Sequence, residues 1–276
     1  MLIFTVVLLV LVILAVSYIF MVMPRVTDGA DMDLQCADYA HRGLHGGTLP
    51  ENSLPAFVAA RDLGYGIELD LRMSADGEIF VFHDDSLLRM CGVKKSISAM
   101  KSAEVRSLFL LGTANRIPTL KEVLSLIDGQ VPLLIEIKPD VNTPALCKRL
   151  CLIMDGYGGA FAVESCDPAV LIFFRKYRPR YARGQLVAKF TPKDAAKDAR
   201  IPKNRFKLFA LTHLFTNVAT RPDFIAIDGR LMREPAFLLS TTLFKRPGFV
   251  WTVRTKRQYE LCRKHGLYAI FENIEP

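Results

Sequence analysis

The apolar positions of this chain fall into three regimes. From Leu2 to Met23 they run almost unbroken, interrupted only by Thr5, Ser17 and Tyr18 and by no charge. At about 1.5 Å per helical residue such a run crosses a bilayer's hydrocarbon core of about 30 Å. It predicts one transmembrane helix over residues 1–24, because no basic stretch precedes the run and no small-residue cleavage site follows it, as a cleaved signal peptide would require. Residues 25–35 then turn polar, with Asp28, Gly29, Asp31 and Asp33, and predict a juxtamembrane linker. From Cys36 to Pro276, short apolar runs alternate with longer stretches of helical spacing.

Nine of the short runs predict strands: 38–41, 67–71, 79–83, 133–137, 161–164, 181–186, 224–228, 249–253 and 267–271. Helix boundaries are readable between most of them. Thr119-x-x-Glu122 is a capping box with Gly129 beyond it, Thr143-Pro144 and Asp167-Pro168 read as an N-cap followed by proline, and Asn52 or Ser53 can cap a helix ending at Gly64. Strands alternating with helices imply a parallel sheet. One connection departs from this, since Leu71 and Ile79 are too close for a crossover helix and Asp76-Gly77 signals a hairpin. A two-residue loop there pairs Ala75 with Glu78 and sets Asp70 opposite His83. Setting the second arm aside as a hairpin excursion leaves eight parallel strands, the number of a (β/α)₈ TIM barrel. An open doubly wound sheet is the alternative, but it lacks its glycine-rich fingerprint after the first strand.

Composition changes this picture little. With 276 residues, 51% hydrophobic and 23% charged, the chain can bury one barrel-sized core. The six cysteines form no Cys-x-x-Cys pair, so neither a zinc site nor a disulfide framework is indicated. The net charge of +8 favours an anionic partner. No nucleic-acid motif is present, which leaves anionic lipid or phosphate. Between Arg175 and Lys207 there are 12 Lys/Arg against Asp194 and Asp198 alone, a pattern suited to anionic lipid or to the charged outer face of a barrel helix. Phe206, Phe209, Leu211 and Phe215 add an apolar stripe after it. Arg25 directly follows the apolar run and nothing basic precedes it, so the positive-inside rule places the globular domain in the cytoplasm.

Candidate chemistry gathers at the predicted strand ends. In Gly66-Ile67-Glu68-Leu69-Asp70-Leu71-Arg72, alternation puts Glu68 and Asp70 on one face and the aliphatics on the other. Two neighbouring buried carboxylates repel and call for a cation, most simply a hard divalent ion. Glu136 and Lys138 share a face of the run 134–139, and His41-Arg42 and His83-Asp84 stand at two further strand ends. In a barrel the C-terminal strand ends form one rim, where active sites gather.

His41-Arg42-Gly43, Pro50-Glu51-Asn52-Ser53, Glu68-x-Asp70, His83-Asp84 and Glu136-x-Lys138 together resemble the signature of the glycerophosphodiester phosphodiesterase family. The likeness runs in order from Tyr39 to Pro139 and continues more weakly through Glu164-Ser165, Gly184-Gln185-Leu186 and Trp251-Thr252-Val253. It implies a TIM barrel at 36–276 and metal-dependent hydrolysis of glycerophosphodiesters to glycerol 3-phosphate and an alcohol. It further implies that Glu68, Asp70 and Glu136 bind one Mg²⁺ or Ca²⁺, that His41 and His83 are the acid/base pair, and that Arg42 and Lys138 hold phosphate, with Trp251 beside the substrate. Arg254, where relatives often carry Asn, is a candidate additional phosphate or headgroup contact, and the ending Phe271-Glu272-Asn273 departs from the family pattern. A lysophospholipase D acting on membrane lysolipids is the alternative reading, and a catalytically inactive lipid-binding module the second.

Overall fold

A computed structural model describes residues 1–26, 38–189 and 204–276. The strands are β1 (Tyr39–His41), β2 (Gly66–Met73), β3 (Ile79–Val81), β4 (Leu133–Ile137), β5 (Phe161–Ser165), β6 (Ala182–Val187), β7 (Phe224–Asp228), β8 (Gly248–Val253) and β9 (Tyr268–Phe271). They lie within two residues of the nine predicted runs. Around the sheet the order is β1-β9-β8-β7-β6-β5-β4-β2, and β1 pairs back onto β2 to close it. Every one of these pairs is parallel. The result is a closed eight-stranded barrel, with β3 antiparallel on the far end of β2 as the predicted excursion.

Outward-facing Ile67, Leu69 and Leu71 pack beneath the surrounding helices. Inward, the N-terminal half of the barrel is filled by Tyr39, Leu134, Ala162, Phe224 and Phe249. Phe249 meets Tyr39 and Phe224 edge-on, with ring centroids at 5.6 and 5.0 Å. This apolar plug closes one end and leaves the other for polar groups. Residues after β3 build a satellite core of Phe80, Phe82, Met90, Ile97 and Leu110.

Two local readings differ from the sequence. Ser74 N–H bonds Glu78 O and Phe82 N–H bonds Asp70 O, so Asp70 faces Phe82 and not His83. The cause is a three-residue loop, Ala75-Asp76-Gly77, with Gly77 at φ +89°, in place of the two-residue loop expected. The helix Thr143–Met154 takes Asn142 as its N-cap, one residue before the Thr143 expected. Thr119 and Asp167 cap as predicted, and Ser53 accepts from Ala56 N–H at the start of Leu54–Asp62.

The N-terminal helix Leu2–Val22 has a mean hydropathy of 3.1 and is long and apolar enough to cross a membrane, a property that spans and signal sequences share. Its C-terminal end, from Tyr18 on, touches the barrel. Asn217 Nδ2 donates to Val22 O, and Arg221 donates to Phe20 O and Met23 O, which satisfies carbonyls left open at a helix end. Arg25 continues the attachment by donating its N–H to Pro222 O and pairing with Asp223 at 3.3 Å. Asp223 directly precedes β7, so the helix joins the barrel at the N-terminal ends of the strands. Beyond Val26, the expected linker lies outside the described residues, as does the basic stretch 190–203.

Candidate active site

His41 closes β1, and the chain then bends sharply through Arg42 and Gly43, at φ +58° and +79°. A Cβ at Gly43 would lie 2.9 Å from the Ala56 backbone, so a residue without a side chain is required there. The bend aims the Arg42 N–H at Glu68 Oε2, 3.0 Å away. Strand pairing does the rest: His41 lies beside Glu68, Asp70 beside Glu136, and Glu136 beside Glu164. Four inward carboxylates thus meet at the C-terminal rim of β2, β4 and β5.

Oxygens of Glu68, Asp70 and Glu136 all lie within 4.8 Å of one another. Lys138 Nζ stands 2.6 Å from Glu136 Oε2 and 2.9 Å from Asp70 Oδ1. Arg42 Nε is 3.4 Å from Asp70 Oδ2, and its terminal nitrogen bonds Glu51 at 2.8 Å. Asn52 Nδ2 donates to Asp70 Oδ2 at 2.8 Å, so its amide positions this acid while Ser53 caps the helix. His41 Nδ1 is held by Glu272 Oε2 at 2.6 Å, and its Nε2 is 4.0 Å from Glu68. His83 Nδ1 is held by Asp84 Oδ1 at 2.7 Å, and His83 stands close enough to Asp70 to act on its charge. Trp251 lines the barrel interior with Nε1 donating to Ala226 O. Arg254 pairs with Glu272 and is otherwise exposed. The structure therefore draws Glu68, Asp70, Glu136, Lys138, Arg42 and His41 into one cluster, with His83 at its edge and Arg254 linked through Glu272.

Three acids were not singled out from the sequence. Glu272 follows β9, whose Phe271 pairs with Ala40, so ring closure brings it beside His41. Its position just past the last strand was the available signal. Glu164, almost fully buried on β5, repeats the strand-end acid pattern of Glu136. Glu51 ties Arg42 to Arg89 and was visible only as part of a motif.

Electrostatics explain what this cluster needs. Burial, reinforced by Asp70, Glu136 and Glu164, pushes Glu68 well above the usual carboxylate range. Glu164 rises likewise through burial and the charge of Glu136. Burial opposes ionisation of Asp70 too, but Lys138, His83, Arg42 and His41 outweigh it and hold that group well below its ordinary value. Glu272 is depressed against the same burial by His41, His45 and Arg254. Burial draws His41 below the ordinary imidazole value, partly offset by its bond to Glu272. Further positive charge beside Glu68 would favour its ionised form. Hard oxygen donors at this spacing fit a divalent ion, whose ligands at roughly 2.0–2.6 Å can stand up to about 5 Å apart.

The model of the Glycerophosphoryl diester phosphodiesterase family matches residues 41–273. Human lysophospholipase D GDPD1 is 34% identical over 131 residues, which cover 43% of this chain and 40% of that protein. A Mycobacterium tuberculosis (strain ATCC 25618 / H37Rv) protein named probable glycerophosphodiester phosphodiesterase 2 is 35% identical over 158 residues, covering 55% and 58%. The chain thus spans about half the length of these curated relatives. Among solved structures, an Oleispira antarctica phosphodiesterase in complex with the product sn-glycerol-3-phosphate aligns with a TM-score of 0.66 at 21% identity, over 86% of this chain and 92% of that one. At that identity the likeness is one of fold.

Proposed function

The chain belongs to the glycerophosphoryl diester phosphodiesterase family, and we propose that it is a metal-dependent phosphoric diester hydrolase that splits glycerophosphodiesters into glycerol 3-phosphate and an alcohol. The observation that carries this reading is the convergence of Glu68, Asp70 and Glu136 with Lys138, Arg42 and His41 at one barrel rim. Three acids alone fit any cation site. Acids joined by two cations and imidazoles fit a phosphate that must be held while a proton moves.

Glu68, Asp70 and Glu136 would hold one divalent ion, Mg²⁺ or Ca²⁺, which when bound would neutralise charge building on the phosphoryl oxygens. Arg42 and Lys138 grip the same phosphate, their side chains already fixed by Glu51, Asp70 and Glu136. His41 and His83 share one design: each presents Nδ1 to a carboxylate, Glu272 or Asp84, and keeps Nε2 for proton exchange. One Nε2 takes a proton from the attacking oxygen as the new P–O bond forms, that oxygen being water, or the neighbouring glycerol hydroxyl with water then opening the cyclic phosphate. The other gives a proton to the departing alkoxide as the old P–O bond breaks. Trp251 and Arg254 flank the substrate from β8 and the turn beyond it.

Residues 1–24 anchor the protein as a single span and 36–276 form the cytoplasmic barrel domain. Supporting this are Arg25, Arg175 and Arg221, gathered at the end of the apolar helix. The acid cluster opens at the rim opposite the helix attachment, which favours a diester arriving from water over a lysolipid held in the same bilayer.

Purified protein with added Mg²⁺ or Ca²⁺, and a chelated control, should release choline from glycerophosphocholine faster than from lysophosphatidylcholine. His41→Ala and Glu68→Ala should each cost at least about 100-fold in kcat. Faster lysolipid cleavage, only in vesicles, would reassign the substrate to the lysophospholipase D class. No turnover of any diester, with both variants equal to the parent, would sink the hydrolase reading.

A further inference from the structure

The helix end and the barrel border an open surface cavity of about 430 Å³ on the rim away from the active site. Four guanidinium groups line it, those of Arg25, Arg175, Arg183 and Arg221, beside Met23 and Pro179. Asp223 is the carboxylate that meets them, 3.3 Å from Arg25 and 3.7 Å from Arg183. Their other hydrogen-bond acceptors among the described residues are backbone carbonyls: Pro179 O for Arg25 and Arg183, Ala219 O for Arg175, Tyr181 O and Arg221 O for Arg183, and Phe20 O and Met23 O for Arg221. Carbonyls fix the geometry of these side chains without neutralising them. Arg183 is 98% buried, counted from its 2% exposure, and its Nε has no acceptor among the described residues. Burial lowers Arg183 from the usual guanidinium range, and the like charges of Arg25 and Arg175 press it further. Among the described residues, one carboxylate, Asp223, meets four guanidinium groups here, and the excess of positive charge suits an anion.

Its level identifies the ligand. The helix Leu2–Val22, at about 1.5 Å per residue, ends one hydrocarbon thickness from its start, and the cavity begins at Met23. Tyr18 sits in the last turn and meets Phe215 edge-on at 6.0 Å. Phe215 meets Phe209, and Phe206 and Phe209 project from the helix Arg205–Thr212 with 75% and 48% of their surface exposed. Exposed rings continuous with the end of an apolar helix mark the headgroup layer, where lipid phosphates lie.

We propose that the four-arginine cavity binds a phosphate group, supplied by the headgroup of an anionic phospholipid, and so fastens the barrel to the membrane face through a site separate from catalysis. The proposal rests on the reading of Leu2–Val22 as a retained span. Inorganic phosphate shares the chemistry and is the competing source.

The test uses the full chain in a non-ionic detergent. Native mass spectrometry should find one phosphatidylglycerol retained per chain, with at least a tenfold preference over phosphatidylcholine. The double variant Arg25→Gln/Arg175→Gln should lose that preference, whereas the charge-matched control Lys148→Gln/Arg149→Gln should keep it. Cleavage of a soluble glycerophosphodiester should be unchanged in both. If instead millimolar inorganic phosphate raises the unfolding midpoint of the parent but not of the double variant, with no lipid preference, the phosphate site stands and its source is the solute. Equal retention of both lipids with no phosphate response, or responses indifferent to the two arginines, would overturn the proposal. The span is checked separately. Release of the chain by an alkaline carbonate wash, or loss of residues 1–22 from the isolated protein, would remove the anchor while the phosphate arm still tests the cavity.

Discussion

Glu272 fixes His41 through Nδ1 and is itself held by Arg254. A carboxylate that orients an imidazole typically contributes 10- to 100-fold when removed. Glu272→Ala should therefore lower kcat about 10- to 100-fold with KM little changed, and Arg254→Ala should lower it less; steady-state kinetics on both variants checks the order. This link was hidden in the sequence because the two partners are 231 positions apart and meet only when the barrel closes. Glu68, Asp70, Glu136 and Lys138 were legible, since strand alternation alone assigns their faces. The thiols illustrate the same contrast. Cys262 is fully buried, whereas Cys91 is partly open but its thiol is pushed up to about 11 by burial. Only the thiolate reacts, so maleimide labelling of Cys91 should be slow at pH 7 and rise roughly tenfold per pH unit toward pH 11. A plateau near pH 8 to 9 would contradict the burial argument.

At the scale of elements, the loop between β2 and β3 shows how one residue shifts a register. Asp76-Gly77 was readable as a turn, but its length was not, because the extra residue is set by tertiary contacts of Asp76. That side chain accepts from Ser74 Oγ at 2.6 Å and from Ser102 N–H and Oγ at 2.9 and 2.7 Å, tying the loop to the helix Ser102–Arg106. Hydrogen bonds from Ser74 and Ser102 lower its carboxyl to about 2. A folded value below the unfolded one, about 3.9, means the stabilisation is present above pH 4 and lost as pH falls toward 2. Asp76→Asn should thus lower the unfolding midpoint at pH 6 and narrow its difference from the parent at pH 2 to 3. An unchanged gap across that range would assign the effect to shape and not to charge. The helices were more legible than this loop, since Thr119, Ser53 and Asp167 carry their caps within a few residues. Asn142 was missed because the proline rule drew the boundary one residue late.

For the whole molecule, the eight-strand count was readable from alternation, but what fills the barrel was not, because its contacts join strands far apart in sequence. Gly184 on β6 is the sharpest case. A Cβ there would lie 2.1 Å from the Phe224 ring, so the glycine exists to admit an aromatic from β7 into the plug. Overpacking of this kind typically costs about 1–3 kcal/mol. For a domain of this size about 1 kcal/mol moves the midpoint by roughly 2–4 °C, so Gly184→Ala should lower it by several degrees. The plug lies toward the N-terminal strand ends, but Gly184 itself pairs with Glu164 at the edge of the acid cluster, so kcat per folded molecule is to be read beside the midpoint. Phe224→Leu removes the obstructing ring and costs stability of its own. In the double variant the two costs should fail to add, by about 0.5–3 kcal/mol, because the new methyl then enters vacated space. Thermal unfolding of all four proteins measures that coupling directly. Strict additivity would mean that β6 and β7 yield independently, and that the barrel closes without the plug its sequence is shaped to hold.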